Sequence, residues 1–482
     1  MQLAGRICFT TLAVFIAPVV LITNVFAADR FPVDWQKLDR ELLEHYSALI
    51  RIDTSNPPGN ETKAVNYIKP IFDRESIPYQ IVALQPDRAN IVARLKGTGG
   101  KRPIIVMGHM DVVGVQREKW SVDPFAAIRK DGYIYGRGTQ DDKDNLTTGV
   151  MLMVTLKRLK VPLDRDVIFV AEAGEEGTSS VGIEYLVKEH WNALGGDAGG
   201  AEFALAEGGG GEARQGKVRF VNISTTEKVP RSTRLIAHGT AGHGSVPRLD
   251  NPVVHLAGAV AKVGAWQPPM HLNDTTRTYF ERLATISSPE DADRYNHLTD
   301  PKRSAAIERY LAEHELTHYS MLRTSVVPTI IKAGFRSNVI PSEAEATLDV
   351  RALPDEDMSK LYAELRRVIN DPAVEVVGGD PAVQRPASPP SRLDSEMFHA
   401  LESVTKQLYP GAVTLPSMLT GATDMAQLRA KGVQSYGIGS IIEEKDHNAN
   451  GAHSDDERLE EAALYRFMQF VWTTVTEIAA KK

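Results

Sequence analysis

The stretch Ile104-Ile105-Val106-Met107-Gly108-His109-Met110-Asp111 joins an apolar run to a histidine and a carboxylate. Its four consecutive apolar residues, 104–107, predict a short strand that is buried on both faces of a sheet. Two later stretches, 167–171 and 203–206, have the same form and lead to glutamates. In open α/β sheets ligands bind beyond the carboxyl ends of the strands, so we expect these polar side chains to converge.

Short apolar runs alternate with amphipathic segments around these strands, which favours an α/β fold with a mixed sheet between helices. Between residues 233 and 377 the pattern changes to the order β-α-β-β-α-β, with a polar insertion near 291–317. This order predicts a ferredoxin-like α+β module inserted into the first domain. Asn251 and Pro252 are typical of the start of its first helix.

The predicted elements of the module are strands at 233–238, 328–332, 344–350 and 374–377, and a second helix at 358–369. A Pro-rich stretch at 381–390 is predicted to be the return linker, and a closing helix is predicted over 458–472. The predicted domains are therefore a catalytic domain of residues 29–230 and 388–482 and an inserted domain of residues 231–387.

The composition of the 482-residue chain is that of a folded globular protein, with 42% hydrophobic and 24% charged residues. It excludes a disordered chain or a coiled coil. The chain has 55 basic and 62 acidic residues, which gives a net charge of −7. This mild acidity, without a basic stripe interleaved with aromatics, argues against nucleic-acid binding.

The first 28 residues have the pattern of a secretory signal peptide. Arg6 precedes an apolar run at 7–22, and small residues follow up to a predicted cleavage near Ala27 or Ala28. An uncleaved membrane anchor is the alternative. We expect a secreted or periplasmic protein with no stable membrane insertion after cleavage, because no later stretch is long enough to span a bilayer. The only cysteine, Cys8, lies in this segment, so the mature chain would have no disulfide.

Five short polar clusters carry residue types suited to metal chemistry. Neutral imidazole is the commonest metal ligand, and adjacent carboxylates repel each other unless a cation lies beside them. Each cluster alone also fits a hydrogen-bonded loop or a charged helix entrance, whereas five on one chain favour a site. The clusters are GHMD (108–111), GRGTQDDK (136–143), GEEG (174–177), AEGG (206–209) and GAHSD (451–455).

In order and spacing these motifs resemble the dizinc exopeptidase and amidohydrolase family of carboxypeptidase G, carboxypeptidase S, aminoacylase, acetylornithine deacetylase and succinyl-diaminopimelate desuccinylase. The opening DTSNPPGNE at 53–61 is most similar to the carboxypeptidase S-like branch. The resemblance runs from about residue 38 to the end of the chain. It implies a zinc-exopeptidase-like catalytic domain with an inserted dimerisation, or lid, domain.

The resemblance also implies a role for each residue of the clusters. Two Zn²⁺ ions per chain are implied, with Co²⁺ or Mn²⁺ as alternatives, and histidine and carboxylate ligands suit these metals where cysteine is absent. The implied roles are one metal held by His109 and Glu207, the other held by Glu176 and His453, a bridge formed by Asp141, a general base at Glu175, and orientation of His109 by Asp111.

Three residues of the inserted module match family positions near the substrate. His243, in TAGHGS at 240–245, resembles a catalytic histidine that reaches the active site of the partner subunit, which implies a homodimer. Asn338 and Arg351 match substrate-binding positions, with Arg351 clamping a free carboxylate. The planar guanidinium suits a carboxylate because it donates two parallel hydrogen bonds. The alternative for Arg351 is a surface ion pair with Asp349 or Glu345.

The chain departs from the family pattern at two positions. Asp144 stands where the family usually has glycine, and Gly174 stands where an acid is common. Neither change removes a ligand. Asp144 either adds a negative charge near the bridging carboxylate or points to solvent.

Two motifs of other enzyme classes also occur. His314-Glu315-Leu316-Thr317-His318 fits H-E-x-x-H, which in a single-zinc protease places both histidines on one helix face. Residues 211–217 fit the start of a phosphate-binding loop, but Val218 replaces the hydroxyl that binds Mg²⁺. We expect a solvated helix end at the first motif and a glycine-rich turn between two strands at the second.

These observations predict a secreted metallohydrolase that cleaves an amide or peptide bond next to a free carboxylate, of carboxypeptidase or dipeptidase type. Its substrate would be a small peptide. An N-acyl-amino-acid amidohydrolase of aminoacylase type, acting on an N-acyl amino acid at the same site, is the alternative. A non-catalytic binding protein on the same fold is a remote third hypothesis. Such a protein would be expected to have lost the general base or a metal ligand, and all of these residues are present.

Overall fold

A computed structural model describes residues 30–177, 179–380, 384–446 and 450–481. The predicted signal peptide lies outside the described residues, as does part of the predicted linker. Within these ranges, no helix has both the length and the apolar character needed to cross a membrane.

The described residues form 13 α-helices and 21 β-strands. The helices are α1 (Trp35–Ile50), α2 (Thr62–Glu75), α3 (Lys143–Arg158), α4 (Ile183–Glu189), α5 (Pro252–Ala265), α6 (Asp274–Ala284), α7 (Pro289–Asn296), α8 (Ser304–His314), α9 (Leu316–Met321), α10 (Met358–Ile369), α11 (Glu396–Leu408), α12 (Met425–Ala430) and α13 (Glu461–Ala479). The strands are β1 (Ser55–Asn56), β2 (Tyr79–Ala83), β3 (Ala89–Leu95), β4 (Ile104–His109), β5 (Val112–Val113), β6 (Ile128–Lys130), β7 (Tyr133–Tyr135), β8 (Val167–Glu172), β9 (Phe203–Ala206), β10 (Gly210–Arg214), β11 (Lys217–Glu227), β12 (Val229–His238), β13 (Gly242–His243), β14 (Ser325–Ala333), β15 (Val339–Ile340), β16 (Glu343–Ala352), β17 (Val374–Gly378), β18 (Val413–Leu419), β19 (Gln434–Gly437), β20 (Ile441–Glu443) and β21 (Arg458–Glu460).

The larger sheet has ten strands in the order β2-β3-β8-β4-β9-β19-β11-β10-β20, and β18 pairs with β11. Its centre is parallel, because β4 pairs in parallel with both β8 and β9, and β9 pairs in parallel with β19. Parallel neighbours bring their carboxyl ends to the same edge of the sheet. The clusters that follow β4, β8 and β9 are therefore placed side by side.

Alternate residues of β4 pack on opposite sides of this sheet. Ile104 and Val106 belong to a core that includes residues of α1, α2, α3, α11 and α13. Ile105 and Met107 belong to a second core with α4 and α12. The strand is buried on both faces because side chains along a strand alternate in direction and helices cover each side. The predicted mixed sheet between helices is confirmed.

A second sheet is built from the inserted stretch, in the order β14-β16-β12-β17 with antiparallel pairing. Its chain order is β12, α5, β14, β16, α10 and β17, as the sequence pattern predicts. Both helices pack on one face of the sheet through Leu256, Val263 and Leu365. Asn251 caps α5 by accepting a hydrogen bond from the backbone N–H of Val253 at 3.1 Å.

Two segments differ from the sequence pattern. The polar insertion at 291–317 is mainly helical, and α6 to α9 pack around Phe280 and Leu311 in a small core that also includes Leu415 and Met418 of β18. The predicted closing helix is wrong at its start, because residues 458–460 form β21, which pairs with β7. The helix begins at Glu461 and continues to Ala479.

Candidate metal centre

The ends of the central strands bring three of the polar clusters together, and two loops add the others. All the predicted ligands except the buried His109 line an open cleft of about 960 Å³, together with Glu175. The elements that position them are β4 for His109, the turn after β8 for Glu175 and Glu176, the end of β9 for Glu207, the turn before α3 for Asp141, and the loop before β21 for His453.

Asp141 lies between the two histidines. Its Oδ1 is 2.9 Å from His109 Nε2, and its Oδ2 is 3.0 Å from His453 Nε2. His453 Nε2 is also 2.9 Å from Glu176 Oε1, and His109 Nε2 is 4.0 Å from Glu207 Oε2. Burial opposes charge on Asp141, but its hydrogen bonds to both histidines hold its pKa below the ordinary value. Each carboxylate oxygen therefore faces a different histidine, the geometry that a bridging ligand requires.

Glu175 lies among these groups rather than apart from them. One oxygen of its carboxylate lies within 4.8 Å of a ligand nitrogen of His109 and an oxygen of Glu207. A second set with the same spacing consists of His109, Asp141 and Glu176. The position of Glu175 is within reach of a water molecule bound in this cluster, which suits a general base.

The electrostatics of the cluster show an excess of negative charge. Burial, with Glu175 and Asp141 close by, raises the pKa of Glu207 well above its ordinary value. Burial likewise raises the pKa of Glu175. Hydrogen bonds to Asp141 and Glu176 raise the pKa of His453 to about 10. Crowded carboxylates favour bound cations, and imidazole with carboxylate oxygen is a donor set that divalent metals accept, so the residues present fit a metal centre.

Asp111 holds the turn that carries the two glutamates. Its Oδ1 accepts the backbone N–H groups of Gly174 at 3.0 Å and Glu175 at 3.1 Å, and its Oδ2 accepts that of Glu176 at 3.1 Å. His109 Nδ1 lies 3.0 Å from the backbone carbonyl oxygen of Asp111 and 3.5 Å from its Oδ1. The ring nitrogen of His109 thus bonds the backbone of Asp111, and most hydrogen bonds of the Asp111 carboxylate go to the turn.

Glu457 is a supporting residue that sequence reasoning missed. It is buried and accepts the backbone N–H of Gly138 at 3.1 Å and that of Gln140 at 2.7 Å. Arg137 Nη1 pairs with it at 2.7 Å. These contacts fix the glycine-rich turn that carries Asp141. Glu457 lies four residues beyond His453, and its charge alone gave no sign that it is buried.

Two arginines line the cleft. Arg351 of β16 donates from Nε to Asp349 Oδ1 at 2.9 Å, so the predicted ion pair is present on a side chain that borders the cleft. Arg385 was not predicted, because it lies in the stretch assigned to the linker. Its Nη2 is 4.0 Å from Glu175 Oε1 and 3.4 Å from Asp424 Oδ1.

His243 and Asn338 lie away from this cleft in the chain. They are on β13 and in the turn before β15, which pair as a two-stranded ribbon, and both side chains are exposed. The backbone N–H of Gly244 donates to Asn338 O at 2.8 Å, and His243 Nδ1 lies 2.7 Å from Ser245 Oγ. Neither His243 nor Asn338 is among the described residues that line the cleft.

The two motifs of other enzyme classes do not form sites. α8 ends at His314 and α9 begins at Leu316, so the two histidines of the H-E-x-x-H motif are not on one continuous helix. His318 instead lies 3.0 Å from the hydroxyl of Tyr279. Residues 211–217 belong to β10, a turn and the start of β11, and the predicted turn between two strands is confirmed.

Comparisons with known proteins identify the family of this chain. A family model described as peptidase family M20/M25/M40 matches residues 105–477. The N-fatty-acyl-amino acid synthase/hydrolase PM20D1 of Xenopus tropicalis is 28% identical over 378 residues, which cover 76% of this chain and 71% of that protein.

Two solved structures share the fold. The M20 family metallo-carboxypeptidase Sso-CP2 from Sulfolobus solfataricus has a TM-score of 0.68 at 18% identity, over 91% of this chain and 99% of that one. The YXEP protein of Bacillus subtilis, described as a dinuclear metal-binding peptidase, has a TM-score of 0.58 at 15% identity, over 92% and 99%.

The family match spans most of the chain, from β4 to α13, and so includes every strand end that carries the cluster. The resemblance stated from the motifs is confirmed, and with it a metallopeptidase-like enzyme with a mixed α/β fold. This chain belongs to peptidase family M20/M25/M40.

Proposed function

We propose that the chain is a secreted hydrolase of the carboxypeptidase or dipeptidase type, which cleaves an amide bond next to a free carboxylate. The observation that carries this proposal is the placement of Asp141 between His109 and His453, in a cleft that Arg351 also lines. Family membership supports hydrolysis of peptide or amide bonds. Export is inferred from the first 28 residues alone.

We propose two Zn²⁺ ions as the cofactor, with Co²⁺ or Mn²⁺ as substitutes. Such ions lower the pKa of a bound water and polarise the scissile carbonyl. His109 and Glu207 would hold one ion, Glu176 and His453 the other, and Asp141 would bind both. The excess of buried carboxylate over cationic groups in the cluster supports this assignment.

The side chains divide the remaining work. Glu175 accepts a proton from the attacking water and passes it to the leaving amine, a role that its place beside the ligands permits. Asp111 holds the backbone of Glu175 in place through the N–H groups of the turn. Arg351 gives up its hydrogen bond to Asp349 and binds the carboxylate of the substrate instead. The new ion pair places the scissile bond at a fixed distance from Arg351.

We also propose a homodimer in which His243 and Asn338 reach the cleft of the partner subunit. Both are exposed in a single chain and neither lines its cleft. The inserted sheet ends in β14, an edge strand with exposed Val327 and Ile331. Exposed apolar edge strands pair readily with another chain, which supports this module as the dimerisation and lid domain.

An N-acyl-amino-acid amidohydrolase is the second candidate, because the relative PM20D1 is named for action on N-fatty-acyl amino acids. Both reactions require the carboxylate clamp and the same hydrolytic centre. They differ only in the acyl half of the substrate.

The test is hydrolysis of dipeptides and N-acyl amino acids by the purified mature chain, with and without chelator and with added Zn²⁺. We expect release of an amino acid that is sensitive to chelator and restored by Zn²⁺. Faster turnover of dipeptides supports the first candidate, and faster turnover of N-acyl amino acids supports the second. No turnover of any member in the presence of Zn²⁺ would contradict both.

A further inference from the structure

Asp144 is a buried carboxylate on the wall of the substrate cleft. It lies in the first turn of α3, is 1% exposed, and borders the cleft beside Ser440. Its Oδ2 accepts the Ser440 hydroxyl at 2.7 Å, and its Oδ1 accepts the backbone N–H of Asn145 at 2.9 Å. A carboxylate has about four acceptor positions, so each oxygen keeps capacity for another donor.

Among the described residues Asp144 has no cationic partner, unlike several other buried carboxylates of the catalytic unit. Three buried glutamates are each paired with an arginine within 2.6–2.8 Å: Glu61 with Arg88, Glu227 with Arg429 and Glu457 with Arg137. In the described part of the chain, Asp144 forms no ion pair with a Lys or Arg. Burial raises its pKa to about 7. A buried carboxylate without a cation is costly, and a bound cation would relieve that cost.

A second acceptor lines the same cleft. Asn222 in β11 has a buried Oδ1 that receives no hydrogen bond from any described residue. Buried polar atoms are normally paired, so an orphaned acceptor in a cleft indicates a missing donor. An ammonium group supplies both a positive charge and three N–H donors.

The charges of the cleft indicate which half of the substrate carries the ammonium group. In the proposed function, Arg351 takes the carboxylate on the leaving side of the scissile bond. A carboxylate beside Asp144 would be repelled, since like charges in a buried site are unfavourable. The charges therefore favour the acyl half of the substrate beside Asp144.

We propose that Asp144, with Ser440 and Asn222, binds an ammonium group carried by the acyl half of the substrate. This inference rests on the proposed function and deepens it. It makes Asp144 a specificity-determining residue, and it makes peptides with a free amino group better substrates than acylated amino acids.

The experiment compares three substrates that share a C-terminal leucine. Alanyl-leucine has an α-ammonium, 6-aminohexanoyl-leucine has a remote ammonium, and propionyl-leucine has none. With the Zn²⁺-loaded wild type, we expect kcat/KM for at least one ammonium substrate to exceed that for propionyl-leucine by about 10- to 100-fold. The preferred amine distinguishes an α-amino group from a remote one, and either preference supports the proposal.

The variant Asp144→Asn keeps the size of the side chain and removes its charge. We expect it to abolish most of the preference, by lowering kcat/KM for the ammonium substrate while propionyl-leucine changes less than about threefold. Glu189→Gln, at an exposed acid that borders a separate surface groove, is the matched control and leaves the preference unchanged.

Two outcomes would overturn the inference. One is equal turnover of all three substrates by the wild type, a result that does not depend on any variant folding. The other is an equal loss on all three substrates in Asp144→Asn. Failure of the proposed function looks different, because then none of the three is hydrolysed with Zn²⁺ present.

Discussion

At the scale of single residues, the cluster depends on Asp141 facing two histidines with its two oxygens. We propose separate tasks for the neighbouring glutamates, because Glu176 lies 2.9 Å from His453 whereas Glu175 lies on the side of Glu207. A general base should be dispensable for metal binding but not for turnover.

Glu175→Gln tests that division of roles. We expect kcat to fall by about 10²- to 10⁴-fold while the metal content stays at the wild-type level, because the amide cannot take a proton from water. His453→Ala is expected to lose metal as well as activity. Elemental analysis of each variant beside its rate checks both statements, and loss of metal in Glu175→Gln would make that residue a ligand.

Asp111→Ala tests the support of the glutamate turn. The change leaves the backbone N–H groups of Glu175 and Glu176 without an acceptor, and that of Gly174 keeps only Glu61 Oε1 at 3.1 Å. Each buried donor without a partner costs about 1–3 kcal/mol, so we expect a clear decrease in the free energy of unfolding and weaker metal binding. Urea unfolding of the metal-free chain measures the first effect. Asn56→Ala removes only one donor to Asp111 and should be milder; equal midpoints for wild type and Asp111→Ala would contradict this role.

At the scale of elements, the sequence predicted best those segments whose partners are close or whose pattern is complete. The apolar runs at 104–107 and 203–206 are strands, and Asn251 caps α5 as its residue type predicts. The strand at 458–460 could not be found, because it forms only by pairing with β7, more than 300 residues away. Local periodicity does not report such a distant partner.

The junction of β11 and β12 contains Lys228, a fully buried lysine. Its ammonium donates to Ser320 Oγ at 2.9 Å and Ser325 Oγ at 3.2 Å, and burial, with Arg323 and Arg351 nearby, lowers its pKa from 10.5 to about 7. Between pH 7 and 10.5 the unfolded chain keeps this proton and the folded chain loses it. The contribution of Lys228 to the free energy of unfolding therefore rises as the pH increases from 7 to 10.5.

Lys228→Met isolates this effect, because methionine fills the space without a charge. We expect the variant to be as stable as the wild type or more so at pH 7, with the difference in Tm shrinking as pH rises towards 10. Thermal unfolding of both proteins in the same buffers measures it. A difference in Tm that grows in favour of the variant as the pH rises above 7 would contradict this prediction.

At the scale of the whole molecule, the convergence of three clusters could be predicted, because the parallel strands β4, β8 and β9 bring them to one edge of the sheet. Asp141 and His453 lie instead on loops that adjoin β7 and β21. The places of Arg385 and Glu457 at the site could not be predicted, because each acts through tertiary contacts and neither stands in a recognisable metal-ligand pattern. His243 and Asn338 match the family motifs, but one chain does not bring them to its own cleft.

Mixing two inactive variants tests the homodimer. In a dimer of Glu175→Gln with His243→Ala, one cleft has an intact Glu175 and receives His243 from the other subunit. After dissociation and random reassociation of equal amounts, we expect about a quarter of the wild-type rate. Each variant alone, treated in the same way, is the control. No recovery in a mixture that sedimentation shows to contain heterodimers would contradict catalysis in trans.

The cluster around Asp141 is proposed to be a hydrolytic centre of two metal ions. The most direct measurement is metal content per chain together with turnover, on protein stripped with chelator and titrated with Zn²⁺. We expect about two equivalents of Zn²⁺ bound per chain at saturation, with turnover absent from the stripped protein and restored as the sites fill. Full turnover by stripped protein that contains no metal would contradict this proposal.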